Sequence, residues 1–156
     1  MIAVDIPGLR ELRVEHLVLD YNGTLAEDGK LLPGVAATLE ALAGTLQIHV
    51  VTADTFGSAA EQLSGLPLDL IVVPDAAQAD RKLEFITRLN ANSVVAIGNG
   101  RNDRKMIEAA ALGIALIQRE GSAIETLVCA DVAATSILDA LALLQYPKRL
   151  VATLRS

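Results

Sequence analysis

Short apolar bursts alternate with stretches of helical periodicity along the chain. Residues 14–19, 46–51, 68–73, 94–97 and 114–117 are runs rich in Val, Ile and Leu. They are short and dominated by apolar residues, the pattern of parallel strands buried on both faces. Between them, residues 33–43, 55–63, 77–89 and 103–111 are amphipathic, and 122–128 and 136–144 follow the fifth run in the same way. This alternation predicts a doubly wound, Rossmann-like α/β architecture: a parallel sheet flanked by helices. Residues 131–133 are expected to add a short last strand, and residues 2–6, ahead of the Pro7-Gly8 turn, to pair at a sheet edge. Residues 146–156 carry Lys148, Arg149 and Arg155 around Leu150, Val151 and Leu154, which reads as a frayed tail or an oligomer contact.

Composition narrows the partners more than the fold. A chain of 156 residues fits one domain, 1–156, and at that size folding buries roughly 70% of the unfolded surface without disulfides or a structural metal. No apolar run approaches the ~20 residues needed to cross a bilayer, so no membrane association is expected. The first residues lack a basic stretch ahead of an apolar one, and a cytoplasmic location is expected. The formal charge of −6 argues against nucleic acid as a partner, because such binding needs a basic face. An aromatic content of 3% leaves no base-stacking platform. Cys129, the single cysteine, reads as a small buried hydrophobe, and His16 and His49, inside strand patterns, as structural.

Candidate chemistry follows from a rule of open parallel sheets: ligands bind beyond the carboxyl ends of the strands. After the first long burst comes Asp20-Tyr21-Asn22-Gly23-Thr24; after the second, Thr52-Ala53-Asp54; ahead of the fourth, Lys82; after the fourth, Gly98-Asn99-Gly100-Arg101-Asn102-Asp103. Each has a plain structural reading. Asn22-Gly23 makes a tight turn, Thr52 and Asp54 cap the helix beginning near Thr55, Lys82 is a solvated charge, and Asp103 caps a helix. Four such signals in order on one rim are harder to explain that way.

These residues resemble the haloacid dehalogenase (HAD) superfamily, whose motifs are an aspartate-x-aspartate-x-threonine loop, a Ser or Thr after the second strand, a lysine, and an acidic G-D-x-x-x-D loop. The resemblance runs from Val14 to about Asp131. Lys82 followed by G-N-G-R-N-D looks especially like the phosphorylation domain of P-type ATPases and the soluble P-type ATPase-like proteins.

The resemblance implies a HAD-like core and a Mg²⁺-dependent phosphohydrolase or phosphotransferase working through a phosphorylated Asp20. It assigns Asp20, the backbone carbonyl of Asn22, Asn99 and Asp103 to Mg²⁺. Thr52 and the Ala53 N–H would cradle phosphoryl oxygens, with Lys82 neutralising their charge. Gly23 and Thr24 shape the first loop, and Asn102 belongs with the substrate-binding set. No insertion is large enough for a cap domain, so the site is expected to be open, taking a small phosphorylated substrate or a phosphoprotein, in a chain that resembles capless homo-oligomers of the family.

Two positions depart from the pattern. Asn22 stands where phosphatases of the family place an acid–base aspartate, and Asn99 where they place a carboxylate ligand. They sustain an alternative from another class: a catalytically silent HAD-like domain that binds a phosphorylated ligand or partner. Unrelated chemistry has little support, since the chain has neither a Gly-rich dinucleotide loop after the first strand nor a G-x-x-x-x-G-K.

Overall fold

A computed structural model describes residues 1–54 and 57–156. The chain opens with an antiparallel hairpin, β1 (Ile2–Ile6) and β2 (Arg10–Val14), paired from Ile2 opposite Val14 to Ile6 opposite Arg10. Then come β3 (His16–Leu19), a small hairpin β4 (Ala26–Glu27) and β5 (Lys30–Leu31), and α1 (Val35–Leu42). The core continues with β6 (Gln47–Thr52), α2 (Ser58–Leu63), β7 (Asp69–Val72), α3 (Gln78–Arg88) and β8 (Val94–Gly98). It closes with α4 (Arg104–Ala109), β9 (Leu112–Leu116), α5 (Ile124–Cys129), β10 (Val132–Ala134), α6 (Ile137–Gln145) and α7 (Lys148–Leu154).

Six strands form the central sheet in the order β10-β9-β8-β3-β6-β7, every neighbouring pair parallel. Successive side chains of a strand point to opposite faces, and here both faces are covered. Leu17, Leu19, Ile48, Val50, Val95 and Ile97 pack in one core with Val35, Leu39, Leu141 and Leu144 of α1 and α6. Val18, Val51, Val94 and Ala96 pack in another with Ile86, Met106 and Ile107 of α3 and α4. Double burial is why the strand centres are apolar, with polar residues such as His16, Gln47 and Asp69 at the strand starts. The chain runs from β3 outward through β6 and β7, then returns to place β8 on the other side of β3. The crevice at this reversal, beyond the ends of β3 and β8, is where such sheets bind ligands.

The expected strand over residues 14–19 divides at Glu15: Val14 ends β2, while β3 begins at His16. Residues 2–6 do not extend the main sheet, because Ile2, Ile6, Leu12 and Val14 bury one face of a separate two-stranded sheet. The C-terminal segment is not frayed either. It forms α7, buries Leu150, and ends with the Ser156 N–H donating to Pro7 O at 3.0 Å, so its apolar residues cover the chain's own hairpin. The helix expected over 55–63 is observed over Ser58–Leu63, with Thr55 outside the described residues.

Candidate active site

Asp20, Thr52 and Asn99 follow or end β3, β6 and β8, and the parallel register brings all three to one rim. They line a cleft of about 540 Å³ with Tyr21, Asn22, Ala53, Asp54, Gln78 and Asn102. Lys82 arrives from α3, one turn before Ile86 and on the same buried face of that helix. It is wholly buried, contrary to the solvated charge its sequence context allows.

The centre of the site is a charge cluster. Lys82 Nζ donates to Asp20 Oδ1 at 2.8 Å, to Asp103 Oδ1 at 2.8 Å and to Asn102 Oδ1 at 3.1 Å. The other Asp103 oxygen accepts from the Asn99 N–H at 3.0 Å and the Gly100 N–H at 2.9 Å, so this carboxylate organises its own loop. Thr24 Oγ1 donates to Asp20 Oδ2 at 3.3 Å and lies 3.5 Å from Asn99 Oδ1. Asn99 Nδ2 donates to Gly121 O at 3.0 Å.

Burial pushes the Asp20 carboxyl up to about 7, reinforced by the negative charge of Asp103 and only partly opposed by Lys82. Burial by itself would depress the lysine, but Asp20 and Asp103 outweigh it and hold the ammonium above its ordinary range. Two carboxyl groups and one ammonium thus share a single buried cluster at the base of the cleft.

Local backbone geometry explains the glycines. Gly23 has φ +78°, and a Cβ there would also overlap the Asn99 side chain. Gly98 lies so close to Asp103 that a Cβ would displace its carboxylate. Asp54, with φ 44°, accepts from the Ala59 and Ala60 N–H groups at 2.8 and 3.2 Å, capping α2, while its own N–H donates to Thr52 Oγ1 at 3.3 Å. That bond occupies a Thr52 lone pair, leaving its proton for another acceptor.

The structure brings Asp20, Asn22, Thr52, Ala53, Asn99 and Asn102 onto the cleft wall, with Lys82 and Asp103 directly beneath. Gly23 and Thr24 form the turn behind Asp20. Two glutamines escaped the sequence reading. Gln118 Nε2 donates to Gly23 O at 3.1 Å and Thr24 O at 3.0 Å, while its Oε1 accepts from the Ile137 N–H at 2.8 Å, tying the first loop to α6. Its place just past β9, on the same rim, was the available signal. Gln78 had none, since its partner Asn102 is distant in sequence.

Solved structures share this open parallel sheet, at whose switch point the chain gathers Asp20, Thr52 and Lys82. The 3-deoxy-D-manno-octulosonate 8-phosphate phosphatase of Moraxella catarrhalis, in complex with magnesium ion, phosphate and KDO, superposes with TM-score 0.72 at 14% identity, covering 90% of this chain and 92% of that one. A haloacid dehalogenase-like hydrolase of Streptococcus pneumoniae gives 0.65 at 14% identity, covering 85% and 99%. A zinc-transporting PIB-type ATPase gives 0.63 at 26% identity, covering 79% of this chain and 20% of that one. The chain has the fold of the HAD superfamily hydrolases, with no cap domain among the described residues. It belongs to one family with an uncharacterised protein of Methanocaldococcus jannaschii, to which it is 42% identical over 74 residues, 47% of this chain and 80% of that relative. No protein-family model matches the chain. No helix among the described residues is long and apolar enough to cross a membrane.

Proposed function

We propose that this protein is a Mg²⁺-dependent phosphohydrolase or phosphotransferase that acts through a phosphorylated Asp20. The observation that carries this reading is Lys82 Nζ held 2.8 Å from both Asp20 and Asp103 at the base of an open cleft. Asp20 attacks phosphorus, the bond from phosphorus to the leaving oxygen breaks with its electron pair on that oxygen, and water later attacks the acyl phosphate to return the carboxylate. The Thr52 hydroxyl donates to a phosphoryl oxygen, and Lys82 balances the charge that develops there. Asn22, exposed on the cleft wall, cannot pass a proton to the leaving group, which favours acyl and aryl phosphates over alkyl ones.

Charge supports a divalent cation. Asp20, Asp28, Asp54, Asp75 and Glu120 line the cleft with no Lys or Arg among the described lining residues. Lys82, the cation beneath the cleft, is already engaged by two carboxylates. The donors fit a hard cation: Asp20 Oδ2 and Asn99 Oδ1 both lie near Thr24 Oγ1, with the Asn22 carbonyl on the adjacent turn. Among the described residues no three His, Cys, Asp or Glu side chains cluster as a ligand set, so amide and backbone oxygens would complete the coordination beside Asp20. Asp103 would assist from behind, its oxygens already engaged by Lys82 and two backbone N–H groups. The bound ion would supply charge neutralisation for Asp20 and phosphate.

The open cleft suits a small phosphorylated substrate or a phosphoprotein segment. A second reading, a silent domain that binds a phosphorylated ligand or partner, is favoured by Asn99, whose amide donates to Gly121 O in a way an aspartate could not. Incubation with Mg²⁺ and beryllium fluoride, alongside acetyl phosphate and p-nitrophenyl phosphate turnover, separates them. An adduct on Asp20 with Mg²⁺-dependent turnover is expected; binding of phosphate without either result would overturn the enzymatic reading.

A further inference from the structure

Gln78 belongs to none of the motifs, yet it ends a chain of hydrogen bonds that begins at the active-site lysine. An ammonium has three protons and no lone pair, so every polar atom it touches must accept. Lys82 Nζ spends two donors on Asp20 and Asp103 and directs a third to Asn102 Oδ1 at 3.1 Å. This fixes the Asn102 amide: its oxygen faces Lys82 and its NH₂ faces away, because the reversed orientation would set NH₂ against NH₃⁺. Asn102 Nδ2 then donates to Gln78 Oε1 at 3.0 Å, which fixes the second amide in turn. Gln78 Nε2 donates to the backbone carbonyl of Asp75 at 3.2 Å. Direction therefore propagates from Lys82 through two side chains to the backbone entering α3.

We infer that Gln78 is a positioning residue for Lys82: by accepting from Asn102 it locks the amide orientation that gives the ammonium its third acceptor, and so holds Nζ between Asp20 and Asp103. Gln78 and Lys82 lie four residues apart on α3, so one helix carries both ends of the device, and Asn102 closes it from the turn Arg101–Asp103 after β8. Without Gln78 the Asn102 NH₂ loses its acceptor, the ammonium alone orients the amide, and Lys82 keeps two carboxylates but a less firmly held third acceptor. Partners of this kind, one step removed from the reacting atoms, are commonly worth about 10- to 100-fold in rate. The catalytic part of this inference rests on the proposed phosphotransfer; the ordering of Lys82 does not.

The test compares the wild type with Gln78→Leu, which keeps comparable bulk and removes the acceptor, and Gln78→Glu, which keeps an acceptor for Asn102. Gln78 is only half-buried at the start of α3, so all three proteins should fold. With ¹⁵N-labelled lysine and no ligand, the Lys82 ammonium protons should be protected and visible by NMR in the wild type and in Gln78→Glu, and lost to solvent exchange in Gln78→Leu. With Mg²⁺ and p-nitrophenyl phosphate, Gln78→Leu should lower kcat about 10-fold with KM changed less than about 2-fold, and Gln78→Glu should recover most of it. A Leu variant matching the wild type in the ammonium signal, or a Glu variant that loses it as Leu does, would overturn the inference. Should the wild type neither turn over substrate nor form a beryllium fluoride adduct, the phosphotransfer reading fails, and the ammonium signal alone judges Gln78.

Discussion

Lys82 Nζ stands 2.8 Å from Asp20 Oδ1, joining the middle of α3 to the end of β3 across 62 positions of sequence. The same ammonium bonds Asp103, so one cation holds together two buried carboxylates that would otherwise repel. Lys82→Met should therefore cost about 3–5 kcal/mol at neutral pH, since removing one partner of a buried ion cluster strands the others. Denaturant unfolding measures it, and the cost should shrink in acid, where Asp20 takes up a proton.

Asp20 also sets a pH dependence in the metal-free protein. Its folded value of about 7 lies above its ordinary 3.8. The folded state therefore holds the proton more tightly than the unfolded one: the contribution is fully present below about 3.8 and is lost as pH rises through about 7. Melting temperature should fall over that window, and Asp20→Asn should flatten the slope while abolishing turnover. Saturating Mg²⁺ should flatten it too, by favouring the ionised carboxylate.

The two asparagines should respond separately to conversion. Asn99→Asp loses the donor to Gly121 O and sets a carboxylate against a carbonyl, so the metal-free protein should lose about 1–3 kcal/mol. Mg²⁺ should restore that loss and be needed at lower concentration for half-maximal rate. Asn22→Asp, on the exposed cleft wall, should change stability by less than about 0.5 kcal/mol. It should raise alkyl phosphate turnover by up to about 10²-fold, because it supplies a proton-transfer group. Rates for aryl, alkyl and acyl phosphates across the four combinations of Asn and Asp measure both effects.

Gly98→Ala should damage the site without touching substrate. The added methyl would collide with the Asp103 carboxylate, which Lys82, Asn99 and Gly100 hold in place. A loss of about 1–3 kcal/mol is expected from overpacking, with weakened beryllium fluoride capture as the functional readout.

A second pH effect belongs to the opposite end of the sheet. His49 Nε2 lies 3.1 Å from His16 Nδ1, and His49 Nδ1 lies 3.5 Å from Asp69 Oδ2. Burial, joined by His16, lowers the His49 value below 6.5, against the pull of Asp69. A lowered histidine contributes stability that is present above 6.5 and is lost as pH falls through the folded value. His49→Gln should reduce this acid sensitivity, as followed by melting temperature between about pH 5 and 7.

The layered sheet was legible along the chain because double burial leaves no alternative to apolar strand centres, and the rim residues were legible because parallel strands deliver their carboxyl ends to one edge. Thus Asp20, Thr52 and Asn99 could be placed together before any contact was known. Patterns that two structures share were not separable in this way. Val14 extends an apolar run that the hairpin ends, and the basic positions of residues 146–156 hide the Leu150 that anchors α7. Lys82 is the sharpest case. One lysine on an amphipathic helix is ordinarily solvated, and only the docking of α3 against α4 and the turn after β8 brings it inward onto two carboxylates. Gln78 and Gln118 depend on such packing still more, since an amide has no charge and no periodicity to mark it, and acquires a role only from the donors and acceptors that tertiary structure sets opposite it.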